Sequence, residues 1–242
     1  MKGLADVTIE AKASPTMSVD EIFVQLRNEI LHGQLEAGAV ISQVKLAERL
    51  GVNRTPLREA LRMLQREHLV TAELNRRVRI AGLDSTDLVD LYALRITEEA
   101  LGIRLSVPKF TTADLAELRD LLASMDEYAD PETVDVWETY HRRFHRLLIS
   151  HAGERITGAA YDLADYCERY RRALLVSRPI SFDIGRADHH AITDACADRD
   201  ADQAVNALSQ HLARTALSLL SMTDPAFDPR PVREALTLVT RA

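Results

Sequence analysis

Four histidines in the second half of the chain, His141, His145, His189 and His211, are of a type and placement suited to a transition metal. His141 and His145 are four apart, so in a helix they share one face, beside an apolar arc of Trp137, Tyr140, Phe144 and Leu148. His189 projects with Phe182, Ile192 and Cys196, whereas His190 projects away; His211 sits at the edge of the arc of Leu208, Leu212, Thr215 and Leu219. Three helices can thus turn imidazoles toward one bundle interior. Nitrogen donors favour zinc, nickel, copper or iron over magnesium or calcium. The competing reading makes each histidine a satisfied core or interface residue, which is the better choice for any one of them alone. Four inward positions together favour the metal.

A second set of residues suits a polyanion. Arg54, Arg58, Arg62 and Arg66 recur every four residues and form one stripe of a helix. Asn53, Arg54 and Thr55 fall at the amino end of that helix, the part of a helix-turn-helix that enters the major groove. An arginine there can donate two hydrogen bonds to guanine O6 and N7, and the free amides of the first turn attract phosphate. Alone, an arginine stripe is ordinarily a solvated helix face. The elements around it argue for DNA.

Those elements follow from apolar periodicity and punctuation. Ser18-Val19-Asp20-Glu21 fits a capping box for a helix carrying Ile22, Phe23, Leu26, Ile30 and Leu31 up to Gly33. The apolar pair Val40 and Ile41 precedes Ser42, which caps a short helix bearing Val44, Leu46, Ala47 and Leu50 and ending at Gly51. After a three-residue turn, Leu57, Ala60, Leu61 and Leu64 define a helix over 54–68 with Pro56 in its first turn. This is a helix-turn-helix. Segments 69–74 and 78–80, with Asn75-Arg76-Arg77 between them, predict a two-stranded wing. Beyond residue 84 the strand signals stop, and six helical segments are drawn at 85–106, 112–129, 132–151, 154–177, 182–198 and 201–222, with Thr112 and Asp200 as caps. The expected fold is therefore mainly α. A flexible arm (1–17) leads into an N-terminal winged helix-turn-helix (18–82), and a C-terminal all-α helical bundle (84–222) is followed by a tail (223–242). The tail holds three prolines and an amphipathic piece over 232–239, which would dock on the bundle or on a partner chain.

Composition agrees with two domains. The 242 residues are 46% hydrophobic and 28% charged, inside the soluble globular range. The formal net charge of −7 disguises an asymmetry: residues 18–82 carry ten basic against eight acidic side chains, and 83–242 carry eighteen against twenty-seven. Positive charge concentrates within 45–79, at nine basic to four acidic, which marks the polyanion-facing part. The two cysteines, Cys167 and Cys196, are too few for a disulfide scaffold or a cysteine-based zinc module. Without a long apolar run or a signal-peptide core the protein is expected in the cytoplasm, with no membrane partner.

The run from Val44 to Leu61, Val-Lys-Leu-Ala-Glu-Arg-Leu-Gly-Val-Asn-Arg-Thr-Pro-Leu-Arg-Glu-Ala-Leu, closely resembles the DNA-binding signature of GntR-type bacterial regulators. The resemblance implies that Arg49, Asn53, Arg54, Thr55 and Arg58 face the operator. The basic wing, Arg76 and Arg77, joins them, although the family usually has a glycine where this pair stands. Residues 84–222 look like the effector-binding FCD domain of the FadR-like branch, whose motif is Asp-x-x-x-His, then Glu-His-x-x-Ile, then His-Leu. Here the chain reads His141-Arg-Arg-Phe-His145, Asp188-His189-His-Ala-Ile192 and His211-Leu212, so His141 replaces the usual aspartate. That keeps a ligand and removes one negative charge. Six helical segments in place of seven point to the VanR-like subgroup.

The resemblance also implies a small carboxylate effector held near a divalent metal, zinc first, with nickel, manganese or iron as alternatives. Arg95 matches a recurrent arginine of the first effector-domain helix, and Arg169 and Arg172 are further effector-binding candidates. The planar guanidinium suits carboxylates, while a helix-to-helix salt bridge is the competing reading for each. The resulting expectation is a homodimeric repressor that binds an inverted-repeat double-stranded DNA operator and is released by an organic acid. The first alternative is a DNA-binding regulator with a metal-free pocket, for example for an acyl ligand. A metal-dependent hydrolase or lyase is the weaker one, because no His-Glu-x-x-His, phosphate-loop or serine-elbow pattern is present and the basic winged helix would go unexplained.

Overall fold

A computed structural model describes residues 17–240 and divides the chain, between Ala81 and Gly82, into two compact units. Apart from Met17, the arm expected over 1–17 lies outside the described residues.

In the first unit, helix α1 (Val19–Leu31) starts at the expected capping box: Glu21 N–H donates to Ser18 Oγ at 3.2 Å, and Ser18 N–H donates to Glu21 Oε2 at 2.7 Å. Strand β1 (Val40–Ser42) leads directly into α2 (Gln43–Leu50), because Ser42 both ends the strand and caps the helix by accepting from Val44 N–H. Gly51 closes α2 in the left-handed region, at φ 64°. Helix α3 (Arg54–Arg66) buries Leu57, Ala60, Leu61 and Leu64 against α1 and α2. Strands β2 (Val70–Glu73) and β3 (Arg77–Ile80) form the hairpin. The sheet has three strands in the order β1-β3-β2, all antiparallel, with Ile41 opposite Val78 and Ala72 opposite Val78 on the other side. Strand β1 adds a third strand to the expected two, since two β-branched residues are too short a run to separate from a loop in sequence. Val70, Val78 and Ile80 turn into the core while alternate residues face out.

The second unit is wholly helical among the described residues. Helix α4 (Ser85–Ser106) begins at Asp84, whose carboxylate accepts from Asp87 N–H at 2.8 Å, and it packs against α10 (Ala201–Thr223) and α11 (Arg230–Thr240). Helix α5 (Thr112–Glu127) is capped by Thr111 rather than Thr112, with Asp114 completing the capping box. Helix α6 (Val134–Leu148) follows, and the chain beyond it crosses α4 at Gly102, where a Cβ would stand 2.8 Å from Ile149 Cγ2. The expected single helix over 154–177 is broken at buried Cys167 into α7 (Glu154–Tyr166) and α8 (Glu168–Ser177). Helix α9 (Ile180–Ala197) completes the bundle. Seven helices therefore span 85–223 instead of six, which removes the basis for the VanR-like assignment. The amphipathic tail piece is α11, and it buries Val232 and Ala235 in the bundle of its own chain.

Candidate functional site

The first unit presents a basic face at the amino end of α3. Asn53 is the N-cap of that helix, yet its side chain makes no capping hydrogen bond and is exposed. An N-cap bond contributes about 1 kcal/mol to a helix, so this amide is left available for another partner. Arg54, Thr55 and Arg58 line one surface recess together with Arg76 of the β2–β3 turn, Gln43 and Val44. Arg54, Arg58 and Arg76 form no ion pair among the described residues, whereas Arg62 is held by Glu59 at 2.7 Å and Arg79 by Glu73 at 2.7 Å. Arg49 lies outside the recess and pairs with Glu29 at 2.5 Å; Arg77 is exposed at the start of β3. Asn75 and Arg76 both adopt positive φ, 60° and 55°. The turn thus needs left-handed backbone at the place where the family usually has glycine.

In the second unit the four histidines converge. His141 and His145 come from α6, His189 from α9 and His211 from α10, and one ring nitrogen of each lies within 4.8 Å of all the others. All four are buried. Trp137 stacks on His141 at 4.4 Å between ring centroids and fixes its plane. His145 donates Nδ1–H to Glu99 Oε2 at 3.2 Å, and His211 donates Nδ1–H to Asp188 Oδ2 at 3.2 Å. Both bonds leave the Nε2 lone pair of the ring for another partner, which is how carboxylates orient histidine ligands. His145 Nε2, His189 Nε2 and His141 Nδ1 are buried with no hydrogen-bond partner among the described residues.

The electrostatics favour neutral rings. Burial, reinforced by neighbouring imidazoles, holds His141 and His189 well below the usual histidine range. Burial also lowers His145, to about 4, although Glu99 partly offsets it. For Glu99 burial acts upward, but Arg95 and His145 outweigh it and bring the carboxyl to about 2. Unprotonated nitrogens with unshared lone pairs and carboxylates behind two of them fit a transition metal; the absence of oxygen donors in the set does not fit calcium or magnesium. In a tetrahedral zinc site the ligand nitrogens stand about 3.4 Å apart, each about 2.1 Å from the ion. Side-chain shifts of under an ångström would therefore bring the four onto a single ion.

Beside the cluster lies a cavity of about 50 Å³. Arg95 and Tyr92 of α4, Arg171, Leu174 and Leu175 of α8, and Ile184 of α9 share its wall with the histidines. Arg95 is 2% exposed and bonds Glu99 through Nε at 2.7 Å. The other two expected arginines are not among the cavity-lining residues. Arg169 pairs with Asp87 at 2.5 Å near the start of α4, and Arg172 pairs with Glu168 at 2.8 Å and with Asp135. Arg171, between them in sequence, faces the cavity: its Nε donates to Glu138 Oε2 at 2.9 Å, while its buried Nη1 has no partner among the described residues. Tyr92 Oη is likewise buried and unpartnered. Arg171 is not apparent from the sequence, because a single helix over 154–177 gives it a different phase and the break at Cys167 resets that phase. Its three- and four-residue spacing to Leu174 and Leu175 was the available signal.

Comparison with known proteins agrees with both units. The family described as bacterial regulatory proteins, gntR family, matches residues 18–80, and the FCD domain family matches residues 90–214. The HTH-type transcriptional repressor GlaR of Escherichia coli (strain K12) is 27% identical over 195 residues, covering 77% of this chain and 89% of that protein. The Nta operon transcriptional regulator of Aminobacter aminovorans is 29% identical over 177 residues, covering 73% and 82%. The solved structure of a GntR transcriptional regulator from Rhodococcus sp. RHA1 superposes with a TM-score of 0.68 at 25% identity, covering 87% of this chain and 99% of that one.

Proposed function

The chain belongs to the GntR family of bacterial regulatory proteins and carries an FCD domain, so it is a DNA-binding transcriptional regulator; from that premise we propose a homodimeric repressor released by a small organic acid. The acid would be held beside a divalent metal, zinc first, in the C-terminal bundle. The observation that carries this reading is the convergence of four buried imidazoles, three with unpartnered nitrogens, on a cavity that also receives Arg95 and Arg171. His141, His145, His189 and His211 would hold the ion, which supplies positive charge for an oxygen ligand. The cavity offers room for about three to five waters, a scale that favours a small acid over a long acyl chain. No helix among the described residues is long and apolar enough to cross a membrane.

On the DNA side, Arg54, Thr55 and Arg58 would meet the operator with Asn53, and Arg76 and Arg77 would take backbone phosphates beside the groove. Arg49 would exchange Glu29 for a phosphate. Two copies of α3 related by a two-fold axis read an inverted repeat, which is the reason for a dimer. Repression is supported by the name of the GlaR relative. Release requires that the acid and the operator favour different states of the protein, since a ligand shifts only an equilibrium that it binds unequally.

The test begins with an operator selected from random duplexes by the full-length protein and followed by fluorescence anisotropy. Arg54→Ala should lose the preference for that operator over a scrambled duplex. Small carboxylates screened on the zinc-loaded protein should weaken operator binding, and the same acids should leave a His145→Ala variant unmoved. Unchanged discrimination in the arginine variant refutes the assigned readout. An acid response that survives in the histidine variant refutes the metal-linked pocket.

A further inference from the structure

We infer that the cavity takes a dianion, a short dicarboxylate, with one carboxylate at the histidine cluster and the other between Tyr92 and Arg171. The inference rests on the metal and carboxylate reading above and assigns the charge and shape of the ligand.

Charge favours a dianion. Three arginines line the cavity, Arg95, Arg171 and Arg214, and each already has a carboxylate: Glu99, Glu138 and Asp188 respectively. Imidazoles that bind a metal are neutral, so the lining taken together with these paired carboxylates has no net charge before an ion arrives. A divalent ion on His141, His145, His189 and His211 then brings two positive charges, and no carboxylate stands in the donor set to offset either. A buried charge is costly unless it is paired. One carboxylate leaves half of this excess in place, and two remove it. An aspartate at position 141 would have supplied one of the two charges from the protein itself.

Two buried donors favour a second carboxylate whether or not an ion is bound. Tyr92 Oη and Arg171 Nη1 are buried, line the same cavity and have no hydrogen-bond partner among the described residues. Arg171 Nη1 can only donate and the Tyr92 hydroxyl can donate, so a carboxylate, which only accepts, suits both. They stand on α4 and α8, whereas the histidines stand on α6, α9 and α10. A ligand with oxygens at one end only would satisfy the histidine side or the tyrosine–arginine side. A ligand with a carboxylate at each end satisfies both, and Leu174, Leu175 and Ile184 give its short carbon chain an apolar wall. Ile184 is half exposed, so the cavity opens there and a three- or four-carbon chain need not be fully enclosed.

The experiment is isothermal titration of the zinc-loaded full-length protein with succinate against butyrate, and malonate against propionate, with zinc counted in the same samples. The dicarboxylates should bind at least about tenfold more tightly, the scale of charge-assisted hydrogen bonds to a buried group. Tyr92→Phe removes a hydroxyl that has no hydrogen-bond partner among the described residues, so the variant should fold unchanged; it should lose about five- to tenfold in succinate affinity and nothing for butyrate. His141→Asp returns one negative charge to the donor set and should narrow the preference about tenfold. Zinc uptake with equal affinity for the paired acids overturns this inference alone. A preference that survives both substitutions undiminished overturns it as well, and failure to take up zinc overturns it together with the metal reading.

Discussion

Arg76→Gly should strengthen the fold and weaken the protein's grip on DNA, two effects of opposite sign from one residue. Arg76 sits at φ 55° in the β2–β3 turn, where a side chain costs about 1–2 kcal/mol and glycine costs nothing. Glycine returns about 0.5–1 kcal/mol of that through its greater freedom in the unfolded chain. The net gain is about 0.5–1 kcal/mol, or roughly 2–8 °C in the melting of a unit this small. Nothing opposes the gain, because the exposed Arg76 side chain has no ion pair among the described residues, and the bond from Gln43 N–H to Arg76 carbonyl oxygen is kept by any residue. On the DNA side, loss of one phosphate contact should lower the slope of log affinity against log salt by about 0.9. Circular dichroism melts and operator anisotropy across a salt series measure the two effects separately. A lower melting temperature would refute the strained turn, and an unchanged salt slope would refute the phosphate contact.

Three further outcomes follow from the bundle. Histidines held low by burial make the metal-free protein acid-sensitive: the unfolded chain protonates near pH 6.5 and His145 only near 4, so stability is lost as pH falls through that window. From pH 6.5 to 5 this residue alone accounts for about 1.5 kcal/mol, with His141 and His189 acting in the same direction, and carboxylates titrate too low to imitate it. Urea melts of chelator-treated protein at pH 7.5 and 5.0 test this, and equal stability at the two values would contradict it. Asp188→Ala removes the acceptor that orients His211 and should lower zinc affinity about 10- to 100-fold in a chelator competition; unchanged affinity would rule out that orienting role. Gly102→Ala should destabilise the bundle by about 1 kcal/mol or more despite the better helix propensity of alanine, because its Cβ meets the branched part of Ile149, and a stabilised variant would show that the helices can separate freely.

Much of the architecture was legible because local signals agreed with burial. The Ser18 capping box, the Gly51 stop and the Leu57–Leu64 stripe each mark an element that tertiary packing also favours. The convergence of the four histidines was legible too, since each shares a helical face with residues that are themselves buried. What escaped depends on longer-range contacts. Strand β1 is three residues long and exists through its pairing with β3, which no window around Val40 contains. The break at Cys167 has no proline or glycine to announce it, and it decides which of three neighbouring arginines reaches the cavity. Tyr92 and Glu99 escaped for another reason: both lie on α4, whose burial on several sides leaves no polar face to set the phase.

The most direct measurement is elemental analysis of the untagged protein, purified and dialysed without chelator, beside His145→Ala prepared in the same way. Close to one transition-metal ion per chain is expected in the first and a large loss in the second. No metal in either, even after incubation with zinc, nickel, manganese or iron, would make the four imidazoles a structural cluster and contradict the metal-centred pocket.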